Sequence, residues 1–162
     1  MKRRLLALLT CIISAVSLAQ AQRVDLPINK NSFLDICYRL KGIHYKWAGA
    51  TTKGFDCSGF IMYVFNKFNV LVSHSTKELA TTGEKVMLSE AKTGDIIIFT
   101  GTKKKDRSPG HAGIVVSKEG EPLQFIHSSS STKKNGVIVT TYDSSNYPAR
   151  FLDIRRVTNI AD

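Results

Sequence analysis

Apolar side chains at Phe33, Ile36, Cys37 and Leu40 recur at i, i+3, i+4 and i+7, the stripe of an amphipathic helix over residues 32–40 that ends near Gly42. A second stripe, Ile61, Val64, Phe65 and Phe68, opens directly behind a turn, so a second helix is expected to start at Cys57. Ser75 and Glu78 have the Ser-x-x-Glu spacing of a capping box, which predicts a short third helix over residues 76–81. From there the period changes. β-Branched and apolar runs predict strands at 95–100, 112–117, 123–127, 137–141 and 152–157. His111 leads one of these strands, just behind the Pro109-Gly110 turn, and His127 closes the next, just before the polar run 128–132. Helices first and strands later predict an α+β architecture, with N-terminal helices packed on an antiparallel β-sheet.

Lys2, Arg3 and Arg4 precede an apolar stretch at 5–18, and Ala19, Gln20 and Ala21 supply the small residues of a signal-peptidase site. Residues 1–21 are therefore expected to be a signal peptide and residues 22–162 a single exported domain, periplasmic or secreted. The apolar stretch is shorter than the roughly 20 residues that span a bilayer, so no transmembrane segment is expected. Lipidation of Cys11, giving an outer-membrane lipoprotein, is the alternative; Thr10 and the short apolar run before it argue against it. The chain carries a formal net charge of +10 and stays basic without its first residues, which suits an anionic surrounding matrix. Nucleic acid is not the expected partner. Lys103, Lys104, Lys105 and Arg107 form one loop cluster and Lys133 and Lys134 another, neither interleaved with aromatics, and such runs are ordinarily solvated faces. No internal repeat or long linker is visible, and a monomer is expected.

A thiol at a helix N-terminus faces unpaired backbone N–H groups and the positive end of the helix dipole, both of which favour the thiolate. Cys57 is thus a candidate nucleophile, with a small core residue as the alternative reading. The two histidines tip the balance. Adjacent antiparallel strands can hold His111 as base for the thiol and His127 to orient that base; a strand-end side chain facing solvent is the plainer reading of His127. Cys37 lies on an apolar stripe and reads as core, not as a disulfide partner of Cys57. A zinc site from Cys57, His111 and His127 lacks any Cys-x-x-Cys or His-x-x-x-His pair, so no metal or other cofactor is expected. Asp56 is an apt N-cap, Ser58 can solvate the first helical turn, Asp95 anchors a turn, and His44 and His74 are loop residues without a catalytic partner by spacing.

Tyr45, Trp47 and Gly49, then Asp56, Cys57, Ser58, Gly59 and Phe60, then Gly94 and Asp95, then Gly110, His111, Ala112 and Gly113, and finally His127 follow one another in the order of a known family. On these residues the chain resembles the NlpC-type cell-wall cysteine peptidases, a stripped-down papain, across nearly all of residues 22–162. Ala48 departs from the glycine usual there. The resemblance implies a papain-like fold and a secreted endopeptidase acting on peptidoglycan stem peptides. It implies a Cys-His-His thioester mechanism at either the D-glutamyl–diamino acid bond or the D-alanyl–diaminopimelate cross-link. It also implies that the Tyr45 hydroxyl reaches the cleft and supports an oxyanion. Asp56 and Ser58 would grip a free substrate amine, as equivalents do in relatives whose substrate has one. With nothing left over to close the cleft, intact wall is the expected substrate. A papain-like acyltransferase and a non-catalytic wall-binding module are the alternatives; filled Cys and His positions count against the second.

Overall fold

The computed structural model describes residues 27–102, 106–118 and 120–161. The expected signal peptide, Cys11 and Lys103 to Lys105 lie outside them. Helix α1 (Lys30–Arg39) starts two residues earlier than its stripe suggests, because Asn29 is its N-cap and accepts from the Ser32 N–H at 3.0 Å. Its apolar face buries Phe33 and Cys37 completely, and Cys37 is a free thiol in the core. Helix α2 (Cys57–Asn66) buries Phe60, Ile61, Val64 and Phe65. Helix α3 (Thr76–Leu79) is shorter than expected. Ser75 is its N-cap residue but makes no side-chain capping bond, so the capping box does not close. The Thr81 and Thr82 hydroxyls donate to the Glu78 carbonyl at 3.0 and 2.9 Å and take over the helix end after one turn.

Six strands form the main sheet, in the order β4 (Glu84–Val86), β9 (Phe151–Arg156), β5 (Ile96–Thr100), β6 (Pro109–Val115), β7 (Gln124–Ser131) and β8 (Lys134–Thr141), every neighbouring pair antiparallel. Two-residue pairs complete the fold: β1 (Ile28–Asn29) beside β10 (Ile160–Ala161), and β2 (Ala50–Thr51) beside β3 (Gly54–Phe55). The polar run after His127 does not end β7, as sequence suggested. Ser128 to Ser131 continue the ladder against Val137 to Lys134, and the buried Ser128 hydroxyl is satisfied by donating to the Phe55 carbonyl at 2.7 Å. Strand alternation splits the core in two. Ile96, Ile98, Ile114 and Ile126 pack with the helices, while Ile97, Phe99, Val115 and Phe125 pack with Tyr142 and Ile154 on the opposite face.

Asp95 does more than hold a turn. Its buried carboxylate accepts from the Lys92 N–H at 2.8 Å and takes the Arg156 guanidinium in a two-point pair at 2.8 and 2.7 Å, joining the start of β5 to the end of β9. Removing the carboxylate leaves the Lys92 N–H and the partly exposed Arg156 guanidinium without this partner. Asp95→Ala is therefore expected to cost about 1.5 to 3 kcal/mol in urea unfolding, the scale of hydrogen bonds to a charged group, with activity per folded molecule retained. A shift of a few tenths of a kcal/mol would mean that the pair contributes little.

Candidate active site

The turn into α2 is built by close backbone approach. Asp56 donates its N–H to the Gly49 carbonyl at 2.9 Å, and a Cβ on Gly59 would come within 2.1 Å of that same oxygen, so only glycine lets the helix start sit there. Asp56 caps the helix through the Gly59 N–H at 2.7 Å. The same carboxylate accepts from the Ser58 hydroxyl at 3.2 Å and holds His74 at 2.9 and 3.0 Å. His74, which spacing left without a partner, thus belongs to the support of the nucleophile's turn. Ala48, on the loop before it, has φ of 53°, a left-handed conformation that favours glycine and explains why glycine is usual there.

Cys57 therefore stands at a helix start, its sulfur 3.8 Å from the Thr76 hydroxyl. It lines a cleft of about 840 Å³ together with Tyr45, His111, His127, Tyr147 and Arg150. Trp47 stands on its rim, 83% exposed, rather than filling a hydrophobic cluster. Asp56 and Ser58 do not line this cleft. Tyr45 is held by a bridge to Phe55 and by its N–H donating to the Asn135 side chain at 2.9 Å. Burial and the neighbouring Cys57 and Asp56 push its phenol up, so the hydroxyl remains a donor.

The two histidines meet. His111 Nε2 lies 2.9 Å from His127 Nδ1, and His127 Nε2 lies 3.0 Å from the Thr140 hydroxyl. Gly113 makes room for this: a Cβ there would sit 2.7 Å from the Phe125 ring and 3.2 Å from His127 Cβ. The Tyr147 hydroxyl approaches His111 Nε2 at 3.4 Å, and its ring packs against both imidazoles at 5.7 and 5.4 Å. Thr140, Tyr147 and Arg150, which line the cleft, and Thr76, which contacts the Cys57 sulfur, are residues that sequence reasoning missed. Both ring nitrogens of His127 face protein partners, which leaves it none to offer a metal ion.

Electrostatics differ from the sequence expectation. Burial pushes the Cys57 thiol up, and Asp56 adds to this; the Thr76 hydroxyl and the Ala112 and Ser58 backbone N–H groups pull the other way but do not win. The helix start favours a thiolate, yet desolvation of the sulfur costs more. Burial, His127 and Arg150 hold His111 well below the ordinary imidazole value, and burial with Arg150 holds His127 down at about 3. The resting cleft thus favours a neutral thiol beside a neutral imidazole. Alkylation of Cys57 should be slow at pH 7 and rise through an inflection above the ordinary thiol value of about 8.5, while still outpacing buried Cys37. An inflection below pH 7 would instead reveal a standing thiolate–imidazolium pair.

A cysteine at a helix start thus shares its cleft with a histidine pair on an antiparallel sheet. Residues 42–156 match the family model described as NlpC/P60 family, and the chain belongs to that family. It is 32% identical over 129 residues to "Murein DD-endopeptidase MepS/Murein LD-carboxypeptidase" of Escherichia coli, covering 79% of this chain and 63% of that one. It is 33% identical to "Probable peptidoglycan endopeptidase LytE" of Bacillus subtilis, covering 80% of this chain and 35% of that one. The chain thus spans less than two thirds of either relative. Among solved structures, an NlpC/P60 family protein from Bacillus cereus superposes with a TM-score of 0.71 at 22% identity, over 83% of this chain and 42% of that one. The expected papain-like α+β fold is present.

Proposed function

We propose that the protein is an exported cysteine peptidase that hydrolyses stem-peptide bonds of peptidoglycan through a thioester on Cys57. The observation that carries this reading is the shared cleft, in which Cys57 lies with the hydrogen-bonded His111–His127 pair. Its relatives' names, a murein endopeptidase and a probable peptidoglycan endopeptidase, support the substrate class.

Of the two tautomer sets that the hydrogen bonds allow, the proposed mechanism uses the one that leaves His111 a base. If His127 Nε2–H donates to Thr140, then Nδ1 accepts from His111 Nε2–H, and the lone pair of His111 is on Nδ1. That nitrogen takes the thiol proton as the sulfur attacks the peptide carbonyl carbon. The developing oxyanion accepts from the Cys57 backbone N–H and the Tyr45 hydroxyl. Collapse of the tetrahedral intermediate breaks the C–N bond, and His111 returns the proton to the leaving amine. A thioester remains. Water, deprotonated by His111, then attacks it, releasing the carboxylic acid product and restoring the thiol. Burial pushes the thiol up and the imidazole down, which favours proton transfer concerted with attack over a preformed ion pair.

Asp56 and Ser58 serve the helix start in this reading, since the carboxylate is already engaged by Gly59, Ser58 and His74. A free substrate amine is then not required for binding. Muramidase digests of intact sacculi treated with the protein, with no prior amidase treatment, should contain muropeptides whose masses identify either the D-glutamyl–diamino acid bond or the D-alanyl–diaminopimelate cross-link as the one cut. Turnover confined to free tripeptide and tetrapeptide stems would instead assign a recycling role. Products carrying an added amine in place of water would assign acyl transfer.

A further inference from the structure

Five arginines of the described residues make hydrogen bonds, and their partners differ: Arg107 donates to the Ala149 and Phe151 carbonyls and lies outside the cleft lining. Arg39 pairs with Asp35, Arg155 with Asp153 and Arg156 with Asp95. Arg150 is paired with no carboxylate. It is the arginine that lines the cleft, on a short turn (Pro148–Arg150) leading into β9. Its side chain is nonetheless held in place: Nε and Nη2 both donate to the Thr100 carbonyl at 3.2 and 2.6 Å, and the guanidinium carbon lies 5.0 Å from the centroid of the Tyr147 ring. A guanidinium has five N–H donors. The anchor to Thr100 uses two, so the group is fixed in the cleft wall with donors to spare.

We propose that Arg150 is a carboxylate-binding residue of this cleft, which docks a free carboxylate of the peptide substrate beside the His111–His127 pair. The inference rests on the peptidase reading for its substrate and adds a recognition element to it. An anchored, aromatic-backed guanidinium matches the two oxygens of a carboxylate and loses little freedom on binding it. Stem peptides supply that group from more than one source: the α-carboxylate of a glutamyl residue linked through its side chain, a carboxylate of the diamino acid, or the chain terminus.

Its position also has a catalytic consequence. A cation near two imidazoles opposes protonation of His111, and Arg150 contributes to holding both histidines below their ordinary value. His111 must become an imidazolium during attack. A carboxylate seated on Arg150 neutralises the opposing charge at that moment, so carboxylate-bearing substrates gain in kcat as well as in KM.

The test uses synthetic stem peptides in which each carboxylate in turn is replaced by a carboxamide, compared on the full protein and on Arg150→Gln and Arg150→Lys. Wild-type protein is expected to lose roughly 10- to 100-fold in kcat/KM on one of these replacements, as for a charge-assisted hydrogen bond, and the replacement that matters identifies the source. Arg150→Gln should lose that discrimination, and Arg150→Lys should keep part of it. A uniform fall for every peptide in Arg150→Gln, or wild-type indifference to every amidation, overturns the proposal. If Arg150→Gln fails to fold, Arg150→Lys and direct binding decide: calorimetry on Cys57→Ala should show tighter binding of the carboxylate peptide than of its carboxamide. Equal binding there overturns the proposal too. Should wild-type protein cut none of the peptides, the peptidase reading fails, and the Cys57→Ala binding comparison still judges the carboxylate site on its own.

Discussion

Cys57→Ala is expected to remove peptidoglycan turnover by roughly 10⁵- to 10⁶-fold, the scale of losing the nucleophile from a catalytic unit, while leaving the fold intact. The substitution deletes one sulfur from a partly exposed position outside both apolar clusters. What it removes from the folded state is a 3.8 Å contact with Thr76 and the sulfur's contacts with the Ala112 and Ser58 backbone. The Asp56 cap, the Gly49–Asp56 hydrogen bond and the buried face of α2 are made without the thiol. Circular dichroism and urea unfolding of the variant should therefore overlay those of the parent within about 1 kcal/mol. Cleavage of stem-peptide bonds in sacculi by the folded alanine variant would remove Cys57 from the chemistry, and with it the thioester.

The second large effect is at His111. Its replacement by alanine should cost roughly 10²- to 10⁴-fold, the ordinary contribution of a positioned general base, and the loss should fall on kcat. Because the thiol rests protonated, no standing thiolate is left to sustain a residual rate. His127 acts through His111, so His127→Ala added to His111→Ala should cost almost nothing further, a non-additivity that two independent residues would not show. Taken singly, His127→Asn should be milder than His127→Ala, because the amide oxygen can accept from His111 Nε2–H as Nδ1 does in the proposed tautomer. Equal activity of the two His127 variants would take that residue out of the mechanism.

Three of the groups on which these expectations rest could be read from the chain, because each carries a local signature. Cys57 follows an N-cap and precedes an apolar stripe, and His111 and His127 sit at the ends of β-branched runs, so local pattern fixes their element and neighbourhood. Thr140 has no such signature. It reaches His127 only because β7 and β8 pair His127 with Ile138, which puts Thr140 on the same face two residues on; that register is a property of the hairpin. Arg150 and Tyr147 depend on a turn folding back over the cleft. His74 was visible as a loop histidine, but its hydrogen bond with Asp56 joins residues 18 apart in the chain. The strand β4 went unseen because only Val86 of its three residues is buried, too little for a period of two to show.

The desolvated setting of the Cys57 sulfur has an effect on the lifetime of the enzyme. Thiolates attack peroxides and disulfides far faster than thiols do, and with peroxides the oxidation climbs from sulfenic to irreversible sulfinic and sulfonic acids. Burial that pushes the thiol up leaves such oxidants less thiolate to react with between turnovers. In the exported protein proposed above, with no glutathione pool to rescue an oxidised side chain, that reluctance would lengthen its working life.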